Sequence, residues 1–359
     1  MKAALIGLMQ SGKSTLLASV SGKPMPPAGS TSIDEAVVPV PDGRLDWLTD
    51  LHKPKKTTPA TIDCLDLPGF NFSDDSGRAA ARRLIDPIRR VDLLVLVVRA
   101  FEDPAVPTSE GGVDPVHDLS VLRTELLLAD LELVATRIER LEKQIHKPTK
   151  TQARDKAELA LQCKLQAALE AEQPISSVIE TEAQEEIIRS LGFLTQKPMA
   201  VAVNVAESQV AQSVQPFDFK AVLPDTVPVV SISAKLEQEL AELDQESRAE
   251  FMSDLDMTES ATSQFVNCCY AALGLVSFLT TGPDEVRAWP IRKGTSALLA
   301  AGKIHSDIQR GFIRAETFGF ADLQEHGGEK ELKAAGKIRL EGKSYVVQDG
   351  DIINFRFNV

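Results

Sequence analysis

Positive charge is in short supply. The 359-residue chain carries 39 Lys+Arg against 52 Asp+Glu, a net −13, which argues against a protein that coats nucleic acid over its whole surface. Cysteine is scarcer still: Cys64, Cys163, Cys268 and Cys269 are the only four, and their spacing suits neither a disulfide framework nor a metal set. No apolar run reaches the roughly 18 residues of a membrane-spanning helix. The start, MKAALIGLMQSGKST, lacks the longer apolar core and small-residue cleavage site of an export signal. The motifs H-E-x-x-H, C-x-x-C and G-x-S-x-G are absent and the five His are scattered, which excludes the chemistries those spacings serve. The expectation is a soluble, cytoplasmic, monomeric protein with neither DNA nor a membrane as partner.

What charge there is lies unevenly. Residues 280–359 hold 12 Lys+Arg and 11 Asp+Glu, net +1, so the first 279 residues hold −14. A near-neutral C-terminal module on an acidic body suggests a partner of its own, with Arg287, Arg292, Lys293, Lys303, Arg310 and Arg314 as candidate contacts to phosphate.

Five short β-branched or apolar runs punctuate the first 240 residues (3–6, 61–67, 92–98, 199–203 and 227–232), and several are apolar almost throughout, as strands covered on both faces of a parallel sheet are. Helical stretches separate them, so the fold class is α/β, a doubly wound sheet. Between the third and fourth runs, Leu127, Leu131, Val134, Ile138, Leu141 and Ile145 form a heptad seam. His146-Lys147-Pro148-Thr149-Lys150 breaks it, and Ala157, Leu161, Leu165, Ala168 and Leu169 form a second face. Two narrow seams with charged flanks predict a projecting αα-hairpin, an antiparallel coiled coil, rather than two helices lying flat on the core. Beyond residue 285, runs 286–291, 312–317, 345–347 and 351–357 predict strands of a small α+β module.

The strongest chemical signal is Gly7-Leu8-Met9-Gln10-Ser11-Gly12-Lys13-Ser14, which fits G-x-x-x-x-G-K-[ST] between a strand and a helix. Glycines let backbone N–H groups curl around phosphate oxygens. Lys13 reaches the β- and γ-phosphates, Ser14 is a Mg²⁺ ligand, and the helix turns its positive end to the anion. Gly7, Gln10, Ser11, Gly12, Lys13, Ser14 and Thr15 are the candidate phosphate-binding set. Asp66-Leu67-Pro68-Gly69 ends the second apolar run, placing Asp66 as the second Mg²⁺ ligand and the Gly69 N–H toward the γ-phosphate. The next residue, where Ras-like hydrolases keep a water-orienting Gln, is Phe70; either hydrolysis is slow or another group positions the water. Asn204-Val205-Ala206-Glu207 follows the fourth run where GTPases carry Asn-Lys-x-Asp, and Ser233-Ala234-Lys235 follows the fifth. Asn204, Glu207, Ser233, Ala234 and Lys235 are read as base contacts, with an ordinary strand-to-helix cap as the plainer alternative for Asn204 and Glu207.

Taken with residues 37–46 (VVPVPDGRLD), 53–62 (KPKKTTPATI), 98–103 (VRAFED), 124–132 (TELLLADLE), 287–295 (RAWPIRKGT) and 354–359 (NFRFNV), these motifs resemble the YchF/Obg-like ATPase family over nearly the whole chain. The resemblance implies a G domain over 1–279, a coiled-coil insertion at 118–195 and a β-grasp-like TGS domain over 280–359. It implies ATP binding alongside or above GTP, adenine near Asn204 and Glu207, a hydrophobic residue (here Phe70) in place of the catalytic Gln, and association with ribosomes. Four features depart from the family pattern. Gln10 and Ser11 replace an Asn-Val pair, which leaves a potassium cofactor without its usual loop ligand. Switch I is two residues shorter, and its Mg²⁺ ligand is Thr31 or Ser32. Switch II (71–80) holds one glycine, and Pro107-Thr108-Ser109 stands where the family has a His. The leading expectation is a slow Mg²⁺-dependent NTPase acting at the ribosome; a GTPase of relaxed base specificity and a non-hydrolysing nucleotide-binding adaptor are the alternatives.

Overall fold

A computed structural model of the chain describes residues 1–25, 27, 30, 32–104, 106, 112–146, 150–210, 217–255, 257 and 259–358, with Gln245 described by its backbone only. Thr31, Pro107, Thr108, Ser109, Lys147, Pro148 and Thr149 lie outside the described residues. The chain forms two compact units: Met1–Ala36 with Asp63–Ala261, and Val37–Ile62 with Thr262–Val359.

The first unit is built on strands β1 (Lys2–Ile6), β2 (Asp34–Pro39), β4 (Thr61–Asp66), β5 (Leu93–Arg99), β6 (Met199–Asn204) and β7 (Val229–Ile232), with β3 (Lys56–Thr58) intervening in sequence. The sheet order is β2-β4-β1-β5-β6-β7. The chain leaves the unit within β2 and returns within β4. The pairs β1–β4, β1–β5, β5–β6 and β6–β7 are parallel, so this is the doubly wound α/β sheet expected from the apolar runs. All seven residues of β5 are buried, which is why that strand reads as continuous rather than alternating. Strand order reverses beside β1, flanked by β4 on one side and β5 on the other. In such sheets the crevice at the carboxyl ends of the strands is where ligands bind.

Helix Pro115–Gln144 starts under an Asp114 cap that accepts from the N–H groups of Val116 and His117. Its first half buries Leu119, Leu122 and Leu126 in the sheet core. Its second half turns Val134 to Leu161, Leu165 and Leu169 of helix Gln152–Glu170, with Leu127, Leu131 and Ile138 packed beside them. One helix thus serves two cores, and the expected hairpin is its distal part. Where the two cores meet, buried Asp130 accepts from Arg89 Nη1 at 2.7 Å, from the backbone N–H groups of Leu194 (3.1 Å) and Thr195 (2.8 Å), and from Thr195 Oγ1 at 2.9 Å. A buried carboxylate with four donors is satisfied.

The second unit has a sheet of order β11-β10-β12-β8-β9-β3, in which β8 is Leu275–Thr280, β9 Glu285–Arg292, β10 Phe312–Gly319, β11 Arg339–Glu341 and β12 Asp351–Phe357. Phe278, Phe312 and Phe355 meet edge to face at 6.0 Å in its core, over helix Ala297–Ile304, which contributes Ala297, Ala300 and Ala301. Expected strand 345–347 is not one. Val346 makes only an isolated bridge to Ser296, and the Tyr345 hydroxyl donates to Asp351 at 2.7 Å instead.

Residues 37–62 group with Thr262–Val359 in the second unit. β3 pairs in parallel with β9, Lys56 opposite Glu285. Arg44 holds Asp42 through Nε and Nη2 and Asp349 through Nη1, each at 2.8 Å. Trp47 stacks edge-on against Phe320 at 5.4 Å.

Candidate functional site

Between β1 and helix Lys13–Ser21 the backbone turns around a small volume, and its glycines are forced by what surrounds them. A Cβ on Gly7 would stand 2.5 Å from the Val97 carbonyl, and one on Gly12 (φ +83°) 2.0 Å from Asn204 Nδ2. A Cβ on Gly69 would meet the backbone of Met9 at 2.7 Å. The loop is tied to the segment after β4 by Met9 N–H donating to Phe70 O (3.0 Å) and Phe70 N–H donating to Gly7 O (2.9 Å). Gly12 sits at the helix N-cap without a side-chain acceptor. The first-turn N–H groups of a helix in that state can serve an anion.

Two opposite charges are buried here. Burial pushes the Lys13 ammonium below its ordinary pKa, with the Asp66 charge pulling the other way. Burial raises Asp66 above the ordinary carboxylate range, against a hydrogen bond from Ser14 and the charge of Lys13, and with repulsion from Asp34. One oxygen of Asp66, Oδ1, is buried with no partner, as is Ser11 Oγ. Such groups are costly unless a ligand satisfies them. Ser14 and Asp66 share a cleft of about 210 Å³ with Lys23, Asp34, Glu35 and Ala36. A hydroxyl and a carboxylate with a free lone pair suit Mg²⁺, which takes one or two protein oxygens beside phosphate and water. Among the described residues no cluster of three His, Cys, Asp or Glu could hold a metal alone.

Asn204, at the end of β6, uses both ends of its amide on protein. Nδ2 donates to Ser11 O and Oδ1 accepts from Ala234 N–H, each at 3.1 Å. It therefore joins the phosphate loop to the Ser233–Lys235 loop. Ser233 caps helix Ala234–Ala241 by accepting from Leu236 N–H at 3.3 Å. Lys235 Nζ and Glu207 Oε1 form an ion pair at 2.9 Å, with side chains 74% and 43% exposed.

The expected residues thus gather in two groups, Gly7–Thr15 with Asp66 and Gly69, and Asn204 with Glu207 and Ser233–Lys235, joined through Asn204. Two candidates have their side chains engaged elsewhere. The Phe70 ring is buried in the sheet core, edge-on to Phe72 at 5.5 Å. Ser32 is exposed, its hydroxyl 2.8 Å from that of Ser30. The sequence reading missed Lys23, Asp34 and Glu35, which line the cleft; the only trace was an acidic pair opening β2. It also missed Arg99, the one charge in an otherwise apolar strand. Arg99 lies over the Phe101 ring at 4.7 Å and donates to Phe101 O (3.0 Å) and Val106 O (3.2 Å), bracing the turn after β5.

The chain is similar to known proteins in sequence and in fold. Residues 275–358 match the family YchF-GTPase_C, described as "Protein of unknown function (DUF933)". The chain is 40% identical to the "Ribosome-binding ATPase YchF" of Bacillus subtilis (strain 168), over 99% of each. It is 36% identical to the human "Obg-like ATPase 1", covering all of this chain and 92% of the relative. The structure of the Schizosaccharomyces pombe YchF GTPase superposes with a TM-score of 0.79 at 31% identity, over 99% of this chain and 97% of that one.

Proposed function

Because the chain belongs to the YchF/Obg-like ATPase family of P-loop nucleoside triphosphatases, we propose that it binds ATP, with GTP as a weaker alternative, together with Mg²⁺, and hydrolyses it slowly as a switch at the ribosome. The observation that carries the reading is the buried Lys13–Ser14–Asp66 group with its unpartnered Asp66 oxygen. In the proposed roles, the backbone of Gly7–Thr15 wraps the phosphates and Lys13 offsets the charge on the β–γ bridge. Ser14 and Asp66 would hold Mg²⁺, and Thr31 or Ser32 would be its switch I ligand. Gly69 gives its N–H to the γ-phosphate. The ion, when bound, neutralises phosphate charge and orients the β- and γ-oxygens. Water attacks the γ-phosphorus, the β–γ bond breaks, and ADP and phosphate leave.

Slowness follows from Phe70. Its ring is in the core and has no hydrogen-bonding atom, so it cannot orient water. The same fact supports the adaptor reading, in which nucleotide binds and is not cleaved. The base end is read by Asn204 and Glu207 beside the Ser233–Lys235 loop. Potassium is left out of the set, because Gln10 replaces the loop Asn. The domain limits 1–279, with 118–195 inserted, and 280–359 belong to the same proposal, as do a cytoplasmic location and a monomeric state.

For the ribosome, the B. subtilis relative's name supplies the lead. In this chain Arg292, Lys293, Lys303, Arg310 and Arg314 are exposed on the least acidic part of an acidic chain. Since β3 depends on β9 for its pairing, deleting the C-terminal residues would strip a partner from 37–62. Charge reversal in the full chain, Arg292→Glu with Lys293→Glu, is the cleaner test and should weaken salt-sensitive co-sedimentation with ribosomes.

A hydrolysis time course for ATP and GTP, with and without ribosomes, tests the whole proposal. Turnover of the chain alone should stay below about one per second. Faster turnover would mean that another group positions water; binding without cleavage under every condition would favour the adaptor.

A further inference from the structure

The nucleotide-binding reading leaves open what selects one purine over the other, and Asn204 cannot do it. Its Oδ1 is held by Ala234 N–H and one Nδ2 hydrogen by Ser11 O. The single hydrogen left suits a ring nitrogen such as N7, which adenine and guanine share. The Ala234 N–H is likewise engaged and is not free for guanine O6. Selection then falls on Glu207, three residues beyond Asn204. Guanine presents two donors side by side, N1–H and N2–H₂, and a lone carboxylate meets both with its two oxygens. Adenine presents no such pair.

Glu207 is not a lone carboxylate. Lys235 Nζ holds its Oε1 at 2.9 Å, and that hydrogen bond keeps the ammonium firmly protonated, above its ordinary value. Lys235 is steered into place from two sides. Its backbone follows Ala234, pinned to Asn204, and Glu239 one helical turn on lies 3.8 Å from its ammonium. The turn carrying Glu207 is set by Gln209 Oε1, which accepts from Ala206 N–H at 3.0 Å.

We infer that Lys235 is a specificity-determining residue: by occupying Glu207 Oε1 it removes the two-oxygen acceptor that guanine needs, and so disfavours GTP without adding a contact to ATP. Selectivity of this kind works by obstructing the competitor. The inference rests on the proposed nucleotide site and sharpens its base preference.

The test is a titration of the full-length protein with ADP and with GDP, each with Mg²⁺, at low and high salt. Replacing Lys235 with Ala should improve the GDP-to-ADP affinity ratio about fivefold, the scale of an exposed charge pair. Lys235→Arg should keep the original ratio. Adding Glu207→Gln to Lys235→Ala should cancel the gain, since an amide cannot accept both guanine donors. In the unaltered protein, raised salt should screen the pair and move the ratio toward GDP; in Lys235→Ala it should not. A ratio unmoved by Lys235→Ala, in a protein that binds both nucleotides, overturns the inference and leaves the nucleotide site standing. Failure of the unaltered protein to bind either nucleotide overturns the site itself, and the inference with it.

Discussion

At the phosphate end of the site, Lys13 and Asp66 are buried, both are driven toward their neutral forms by that burial, and an Asp66 oxygen has no partner. At the base end, Lys235 and Glu207 meet in solvent with their bonds made. The two ends are joined by one Asn204 amide yet obey different physics. The phosphate end is assembled at a cost to the free protein, because its charges are buried and one Asp66 oxygen has no partner. The base end costs the fold little, since an ion pair this exposed keeps its hydration. Its chemistry can therefore drift while the phosphate loop stays constrained.

The sharpest way to break that contrast is Lys13→Ala. Removing the loop's only side-chain cation should weaken ATP binding by about 3 kcal/mol or more, at least a hundredfold, in a direct titration. Unchanged affinity would remove the phosphate end from the account.

Phe70→Gln comes next. A Gln at this position would not restore a water-orienting group, because the side chain lies in the sheet core. The substitution should cost roughly 2–4 kcal/mol of stability in denaturant unfolding and leave turnover no higher. A gain in turnover would show that the ring can leave the core.

Gly12→Ala combines a left-handed backbone with a Cβ 2.0 Å from Asn204 Nδ2. A loss of about 2 kcal/mol or more is expected, with weaker binding of both nucleotides because the joint between the ends is displaced.

Asp66→Asn should act in the opposite direction on the free protein. The folded carboxyl has a pKa above 3.8, so the cost of its charge is fully present above that folded value and fades as pH falls through it. Lys13 mirrors this: its folded pKa lies below 10.5, so its cost is present below the folded value and fades as pH rises. The Asn variant should therefore raise the Tm of nucleotide-free protein at neutral pH, and lose that advantage as pH falls through the folded pKa of the carboxyl. It should also lose the benefit of Mg²⁺ for ATP binding. A lower Tm at neutral pH would contradict the cost assigned to this end.

The contrast also governs what could be read from the sequence. The phosphate loop was legible because backbone geometry demands glycine at set positions and leaves Gly7, Gly12 and Lys13 at a recognisable spacing. The sheet was legible because strands buried on both faces, β5 above all, are unbroken apolar runs. β3 was not: Lys56–Thr58 has no apolar residue, and its partner β9 begins at Glu285, far along the chain. The motif reading of Asn204, Glu207 and Lys235 placed them near one another, but no pattern reveals that Lys235 bonds Glu207 or that Asn204 uses both ends of its amide on protein. Those contacts are made by side chains at the ends of separate strands, whose approach depends on the completed sheet. The buried position of Phe70 was hidden likewise, since a phenylalanine after Gly69 could as well have faced the cleft.

The central claim is that buried, partly unsatisfied groups at the phosphate end await a Mg²⁺–nucleotide complex, while the base end favours adenine. Titration of the full-length protein with ATP and with GTP, each with Mg²⁺ and with a chelator, tests it most directly. The account predicts binding that is clearly tighter with Mg²⁺, with ATP bound at least as well as GTP. Binding indifferent to Mg²⁺, or GTP held more than about tenfold tighter than ATP, would contradict it.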